Sequence, residues 1–270
     1  MIRLELKKYG KLHSFYLPET WDEIEQEDML EMAPFLLKDT PEHRLNIVFA
    51  YLPKKVVALF FQLPEAEVYR ITSRLDWLYD TCLDKPLIPF FKNDKGKIYH
   101  LPAQGLSNCV IVEYVFADKY FEDIRKGDSS KIDALILALC RPQRKDYEPD
   151  SPDYDGDIRE KFNENLIDSR VKDMKNVDMR LKMYFLLFFM GCKRSLAQKY
   201  SPLFAEAEED SDSITRPDFG FVGIIWELAG GVVNQDKVQF THLHDIFGFL
   251  CKQHFDNLAL QEKYDTAQRI

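Results

Sequence analysis

The chain is poor in glycine and has no long apolar run. It contains only 11 glycines in 270 residues, which disfavours architectures built from repeated tight β-turns and favours helices. Its most hydrophobic segment, residues 183–190, is far shorter than the roughly 20 apolar residues that are needed to cross a bilayer. Hydrophobic residues make up 46% of the chain, which excludes disorder of the whole chain. The sequence therefore predicts a largely helical protein with a sizeable core and no membrane segment.

The marks of secretion and of general nucleic-acid binding are also missing. Residues 1–11 contain no apolar segment of the kind that a secretory signal needs. The five cysteines are odd in number and have no framework-like spacing, which predicts free thiols in a reducing compartment. A formal net charge of −9 lacks the positive footprint that phosphate binding requires. We expect a cytoplasmic protein without a nucleic-acid partner.

No recognised catalytic motif is present in the sequence. It contains no nucleophile elbow, no P-loop, no H-E-x-x-H and no dinucleotide fingerprint. Asp118 and Glu122 stand one helical turn apart, but such pairs are ordinary solvent-facing charges in most helices. No residue is therefore assigned a catalytic role, no cofactor is expected, and the chain is predicted not to be an enzyme.

The longest apolar pattern predicts a central buried helix over residues 178–200. A helix that is apolar all the way round must be surrounded by other parts of the fold or by lipid. Charged residues stand at both ends of the apolar centre, among them Lys182 and Lys193, which favours a soluble core. We expect the helices predicted over 107–126 and 130–140 to pack against it.

Two alternating segments predict small β-hairpins near the N-terminal half. Residues 2–17 alternate apolar and polar side chains about a turn at 8–11, and residues 87–101 fold back at 93–96. Both hairpins leave through a Leu-Pro pair. This parallel suggests that the two hairpins share one small sheet.

Helical periodicity and capping residues predict that most of the remaining chain is helical. The capping box at Thr20 and the Thr40-Pro41 pair both indicate helix starts. Apolar residues recur at helical spacing in several further stretches, which are 65–82, 158–175, 219–228 and 242–263. The predicted fold class is α+β, predominantly α-helical.

The domain division has two readings. The chain divides either into a hairpin-plus-helix region, 1–104, and a helical region, 105–270, or it folds as a single domain over 1–270. Its length fits both, since domains commonly have roughly 100–200 residues.

The most motif-like string is the acidic loop 150–157. Asp153 and Asp155 fall where an EF-hand loop places calcium ligands, but its twelfth position is Phe162 in place of the required glutamate. Asp153, Asp155 and Asp157 are therefore expected to form a solvated turn ahead of the next helix. They remain only weak candidates for a metal site.

Cys251 and His254 form a second weak candidate for a metal site. They lie three residues apart on one face of the predicted last helix, a spacing that suits a metal pair. No further ligands with a recognised spacing accompany them. A core thiol and a surface imidazole are the expected roles, and no bound metal is predicted.

A cluster of basic residues flanks the irregular segment 141–157. It consists of Arg141, Arg144, Lys145 and Arg159. Basic residues with neighbouring aromatics can hold phosphate or stack bases, but many acidic residues interleave with this cluster. Internal ion pairing is therefore the first expectation, and contact with an acidic partner segment is the second.

Five segments together resemble a group of uncharacterised proteins from phages and prophages of Bacteroides-type bacteria. The segments are 17–21, 113–121, 138–142, 159–162 and 188–192. Members of this group are similar in gene character to tail assembly chaperones, which are small acidic helical proteins that bind the tape-measure protein before the tail polymerises. This chain is larger than typical tail chaperones.

The resemblance implies a non-enzymatic virion morphogenesis protein that binds another virion protein, such as the tape measure, in the bacterial cytoplasm. A helical client needs an apolar groove with a charged rim, and aromatic residues are candidates to line it: Phe60, Phe61, Phe90, Phe91, Phe219 and Phe221. Two alternatives stay open. One is a structural virion component such as a connector or baseplate adaptor, and the other is a metal-binding protein that uses the acidic loop 150–157.

Overall fold

The computed structural model describes residues 1–8, 11–145, 147–152, 154–204, 220–231 and 233–268. Helix predominates and the strands are short, so the predicted α+β, mainly helical class is confirmed. The strands are β1 (Ile2–Lys8), β2 (Lys11–Leu17), β3 (Phe90–Lys92), β4 (Ile98–His100) and β5 (Arg141–Pro142). The α-helices are α1 (Gln26–Leu36), α2 (Pro41–Tyr51), α3 (Lys54–Phe60), α4 (Glu65–Thr72), α5 (Trp77–Asp80), α6 (Ile111–Arg125), α7 (Ile132–Leu139), α8 (Asn165–Val171), α9 (Met179–Lys199), α10 (Gly220–Leu228), α11 (Gln235–Gln239) and α12 (Leu243–Gln268).

Both predicted hairpins form, but they belong to different sheets. β1 and β2 pair antiparallel with Ile2 opposite Leu17, and this hairpin is a sheet of its own within the described residues. β3 and β4 pair antiparallel, and β4 also pairs with β5, which places His100 opposite Arg141. The prediction of one shared sheet is therefore wrong: the second hairpin extends its sheet with β5, and neither β1 nor β2 joins that sheet within the described residues.

α9 is the central helix that the sequence predicts. Asp178 caps it by accepting a hydrogen bond from the backbone N–H of Arg180 at 2.9 Å, as Asp side chains commonly do at helix starts. Its largest buried side chains are aromatic: Tyr184, Phe185, Phe188 and Phe189. α1 lies along α9, a contact that the sequence did not indicate.

The predicted contacts of α9 with the two middle helices are present. α7 packs on α9, and the rings of Tyr114 and Phe121 on α6 lie 6.2 and 5.6 Å from the ring of Phe189. The helix is not covered all round, since Met190 is exposed. At Gly191 the backbone of Leu83 passes so close that a Cβ would stand 2.2 Å from the Leu83 carbonyl oxygen.

Two of the predicted helices differ from the structure at their starts or in continuity. The side chain of Thr20 makes no capping bond, and the Glu23 carboxylate instead accepts from the backbone N–H of Glu19 at 2.8 Å. Only a 3₁₀ turn forms there, and α1 begins at Gln26. The helix predicted over 65–82 is divided into α4 and α5 by a second 3₁₀ turn. Thr40 does cap α2, through a 3.2 Å bond from the N–H of His43.

Buried residues on both sides of residue 104 belong to one contiguous hydrophobic cluster that runs from Leu4 to Phe247. The division into one or two domains stays a prediction. None of the helices in the described part of the chain is long and apolar enough to span a membrane.

Candidate functional site

Two segments, 141–144 after α7 and 158–160, form a short antiparallel pair. The backbone N–H of Arg144 donates to the carbonyl of Ile158 at 2.9 Å, and the N–H of Glu160 donates to the carbonyl of Pro142 at 2.8 Å. Gln143 and Arg159 stand opposite each other in an isolated bridge. The helix predicted from residue 158 therefore begins only at Asn165, because this stretch pairs with the strand that follows α7.

Arg159 lies at the centre of the pair and is almost completely buried, with 1% of its surface exposed. Its guanidinium donates to the Asp157 carboxylate at 2.8 Å and to the carbonyl of Asn108 at 3.1 Å. It also donates to the carbonyl of Leu139. One side chain thereby joins the segment before α6, the end of α7 and the acidic loop.

Arg141 is buried beside Arg159 and pairs with Glu113 on α6. Its Nη2 donates to Glu113 Oε1 at 2.9 Å, and its Nε donates to the carbonyl of Glu160 at 2.6 Å. The second Glu113 oxygen, Oε2, lies 3.2 Å from Arg159 Nη1, at ion-pair distance without hydrogen-bond geometry. Glu113, Arg141, Asp157 and Arg159 form what we call the buried ion cluster.

The predicted internal ion pairing is thus confirmed for three of the four basic residues. Arg141 and Arg159 pair within the cluster, and Arg144 pairs with Asp155 at 2.8 Å. Sequence reasoning missed Glu113, which carries the cluster from the side of α6. The available signal was its position, because Glu113 follows Ile111 and Val112 at the buried start of a helix, where an acid needs a partner.

The ion pairs decide the charge states within the cluster. Burial alone raises the pKa of Glu113, but Arg159 and Arg141 outweigh burial and leave this pKa below its ordinary value. Burial alone lowers the pKa of Arg159, but Glu113 and Asp157 outweigh it and hold this pKa well above its ordinary value. Both groups are therefore charged at neutral pH, and the cluster depends on all its members being present.

The buried thiols near the cluster are poor nucleophiles. Burial raises the pKa of Cys140 to about 12 and raises the pKa of Cys109 well above its ordinary value. Burial also raises the pKa of Cys192 in α9. The thiolate is the reactive form of cysteine, so these residues serve as small buried side chains and not as attacking groups.

A cavity of about 570 Å³ opens above the buried ion cluster. Its walls combine charge with apolar surface, and its lining includes Val110, Glu113, Arg141, Arg144, Asp155, Asp157, Arg159, Lys161, Phe162, Phe240 and His242. A neighbouring cavity of about 440 Å³ is lined by Lys97, Gln143, Arg144, Lys145, Glu160 and Lys161. The two cavities share Arg144 and Lys161, so they adjoin.

The last helix provides a different kind of surface. α12 is packed through Leu243, Ile246 and Phe247 in its first turns, and every residue from Lys252 to Gln268 is exposed. This exposed length, which we call the α12 extension, spans roughly 25 Å at 1.5 Å per residue. Four large hydrophobic side chains on it face solvent: Phe255, Leu258, Leu260 and Tyr264.

The residues considered for metal binding do not come together. Asp155 pairs with Arg144 and Asp157 pairs with Arg159, while Asp153 lies outside the described residues. Cys251 is half-buried and His254 is exposed on α12. In the parts of the chain that the structure describes, no three His, Cys, Asp or Glu side chains are grouped so as to hold a metal ion.

The aromatic residues proposed to line a groove divide between core and surface. Phe60 and Phe91 are buried in the core, whereas Phe61 and Phe90 are exposed. Phe219 lies outside the described residues, and the side chain of Phe221 is not described. The larger exposed apolar surface is on α12, which the sequence did not single out.

No protein-family model, no curated protein and no solved structure matches this chain.

Proposed function

We propose that the protein is a non-enzymatic phage or prophage virion morphogenesis protein that binds another virion protein through the α12 extension. The role is similar to that of a tail assembly chaperone in the cytoplasm of the bacterial host, with the tape-measure protein as client. The observation that supports binding is the exposure of Phe255, Leu258, Leu260 and Tyr264 on a helix that the rest of the fold leaves uncovered.

A free helix of this length is marginal in water, because isolated helices shorter than about 12–15 residues barely form and longer ones gain most of their stability from packing. The α12 extension has no buried residue of its own. Large apolar side chains grouped on an exposed surface are typical of interaction sites. A partner that covers them would supply the packing that the extension lacks within this chain.

The side chains stand on two faces of the extension. Phe255 and Leu258 are three residues apart and share one face, while Leu260 and Tyr264 are four apart and share the nearly opposite face. A partner that contributes helices can contact both faces, since helix-in-groove recognition uses anchors at spacings of three, four and seven. The long helical tape-measure protein, which the resemblance implies as client, fits this requirement.

Co-expression with the tape-measure protein of the tail gene cluster tests the proposal. We expect the two proteins to co-elute in size-exclusion chromatography. The Phe255→Gln/Leu258→Gln and Leu260→Gln/Tyr264→Gln variants identify the face that binds. Glutamine keeps a high helix propensity, and these positions are exposed, so circular dichroism should be unchanged.

Tyr69→Gln is the matched control, because Tyr69 on α4 is even more exposed than the four side chains of the α12 extension and lies far along the chain from α12. It should co-elute like the wild-type protein. If the wild-type protein and the tape-measure protein elute separately under all conditions, the proposed client is wrong. Stoichiometric presence in purified virions would instead indicate a structural virion component.

A further inference from the structure

The two adjoining cavities form one groove with a basic edge. The groove runs across the pair of segments 141–144 and 158–160, and three lysines from different parts of the chain stand on its edge: Lys97, Lys145 and Lys161. We call this surface the basic groove. It is a local concentration of positive charge on a chain whose formal net charge is −9.

The three lysines have no acidic partner within the described residues. All three are exposed, and none of them lies within 4.0 Å of a carboxylate there. By contrast, Arg144, which lines both cavities, pairs with Asp155, and Glu160 pairs with Arg170. The three arginines that line the groove, Arg141, Arg144 and Arg159, are thus paired internally, and within the described residues these lysines are not. Their charge is available to a ligand from outside.

The floor of the groove is held by internal bonds and does not need a ligand. Arg141 and Arg159 already donate to Glu113, Asp157 and backbone carbonyls, so their charges are satisfied inside the protein. These hydrogen bonds hold together the segments that they join. The lysines are therefore presented on a surface whose shape does not depend on occupancy.

The apolar wall and the spacing of the cations indicate the class of ligand. Val110, Phe162 and the half-exposed ring of Phe240 line the larger of the two cavities, while the cations stand on three separate segments at the edge of the groove. A compact phosphate is bound by donors that converge on one point, commonly the N–H groups of a helix start or glycine-rich loop. Dispersed lysines beside an apolar wall suit a chain with several carboxylates and an occasional large apolar residue.

We infer that the basic groove binds an acidic peptide segment of another protein. Carboxylates of the segment lie along Lys97, Lys145 and Lys161, and an aromatic or aliphatic side chain enters the cavity beside Phe162 and Phe240. This site is separate from the α12 extension and does not depend on the function proposed for it.

Fluorescence anisotropy with the full-length protein tests the inference. The probe is a fluorescein-labelled peptide, Glu-Glu-Asp-Phe-Glu-Glu-Asp-Phe, and its neutral counterpart is Gln-Gln-Asn-Phe-Gln-Gln-Asn-Phe. We expect saturable binding of the acidic peptide that weakens as salt screens the exposed charges, and at least tenfold weaker binding of the neutral one.

Charge reversal locates the site. In the Lys97→Glu/Lys145→Glu/Lys161→Glu variant, affinity for the acidic peptide should fall at least tenfold, because each edge charge then repels the probe. The control variant reverses three exposed lysines that line neither cavity: Lys38, Lys119 and Lys263. It has the same net charge, so its affinity should stay within about twofold of the wild-type value if the effect is local.

Three outcomes would overturn the inference. One is equal loss in the two triple variants, which would show that only net charge matters. Another is equal binding of the acidic and neutral peptides. The third is tight binding of a labelled oligodeoxythymidine with no binding of the acidic peptide, which would make the groove a nucleic-acid site.

Discussion

Replacing Glu113 by glutamine tests whether the buried ion cluster holds the fold together. Glutamine keeps the size of the side chain and removes its charge, which leaves Arg141 and Arg159 facing one carboxylate, Asp157, where they now face two. Breaking a buried ion pair by neutralising one partner costs about 3–5 kcal/mol. We expect a loss of about 3 kcal/mol, a large part of the 5–15 kcal/mol that stabilises a typical domain.

The matched control is Glu122→Gln on the same helix. Glu122 is partly exposed and pairs with Arg125 and Lys193, and exposed pairs contribute less than about 1 kcal/mol. Urea unfolding followed by circular dichroism gives both free energies of unfolding. If the two substitutions destabilise equally, the buried cluster contributes nothing beyond a surface pair and the reasoning is refuted.

The difference in stability between the wild-type protein and Glu113→Gln should also depend on pH. The folded pKa of Glu113 is lowered from its ordinary value of 4.5, so its contribution is complete above that pH and is lost as the pH falls through the folded pKa. The stability difference between the wild-type protein and Glu113→Gln should therefore be constant near neutral pH and shrink below about pH 4.5. A difference that grows on acidification would contradict the assigned ionised state.

Further predictions concern close packing and thiol chemistry. Gly191→Ala should unfold the protein or lower its Tm by many degrees, because the new Cβ would overlap the backbone of Leu83. Gly248→Ala is the control: the space around Gly248 is open, so the alanine should stabilise α12 by up to about 1 kcal/mol. Thermal unfolding measures the Tm of both variants, and equal Tm values would contradict the close packing at Gly191. Iodoacetamide should label the half-buried Cys251 in the native protein at pH 8 and leave Cys140 unlabelled until denaturant is added, which mass spectrometry of peptides can verify; early labelling of Cys140 would show that its burial is wrong.

The buried ion cluster and the α12 extension indicate a division of roles within the molecule. The cluster joins the start of α6, the end of α7 and the acidic loop into one unit through buried hydrogen bonds. The extension contributes nothing buried to that unit. Substitutions in the cluster should therefore change stability, and substitutions on the extension should change binding at unchanged stability.

The sequence by itself determined the elements whose signals are local. The apolar run 183–190 with flanking charged residues was enough to predict α9, and alternation about a turn was enough to predict both hairpins. Thr40 followed by proline marked the start of α2 correctly. In each case the residues that decide the structure lie within a few positions of one another. Periodicity and capping residues are therefore sufficient to predict these elements.

Only the tertiary structure decided the features that depend on distant partners. Residues 158–160 have a sequence compatible with a helix, but they pair with 141–144 and become extended. The charge of Glu113 is typical of a surface position until Arg141 and Arg159 are brought to it from 28 and 46 residues along the chain. The exposure of the α12 extension likewise depends on the tertiary structure, because no other part of the described chain buries it. Burial and ion pairing depend on which segments come into contact in the folded protein. The periodicity of the sequence does not specify those contacts.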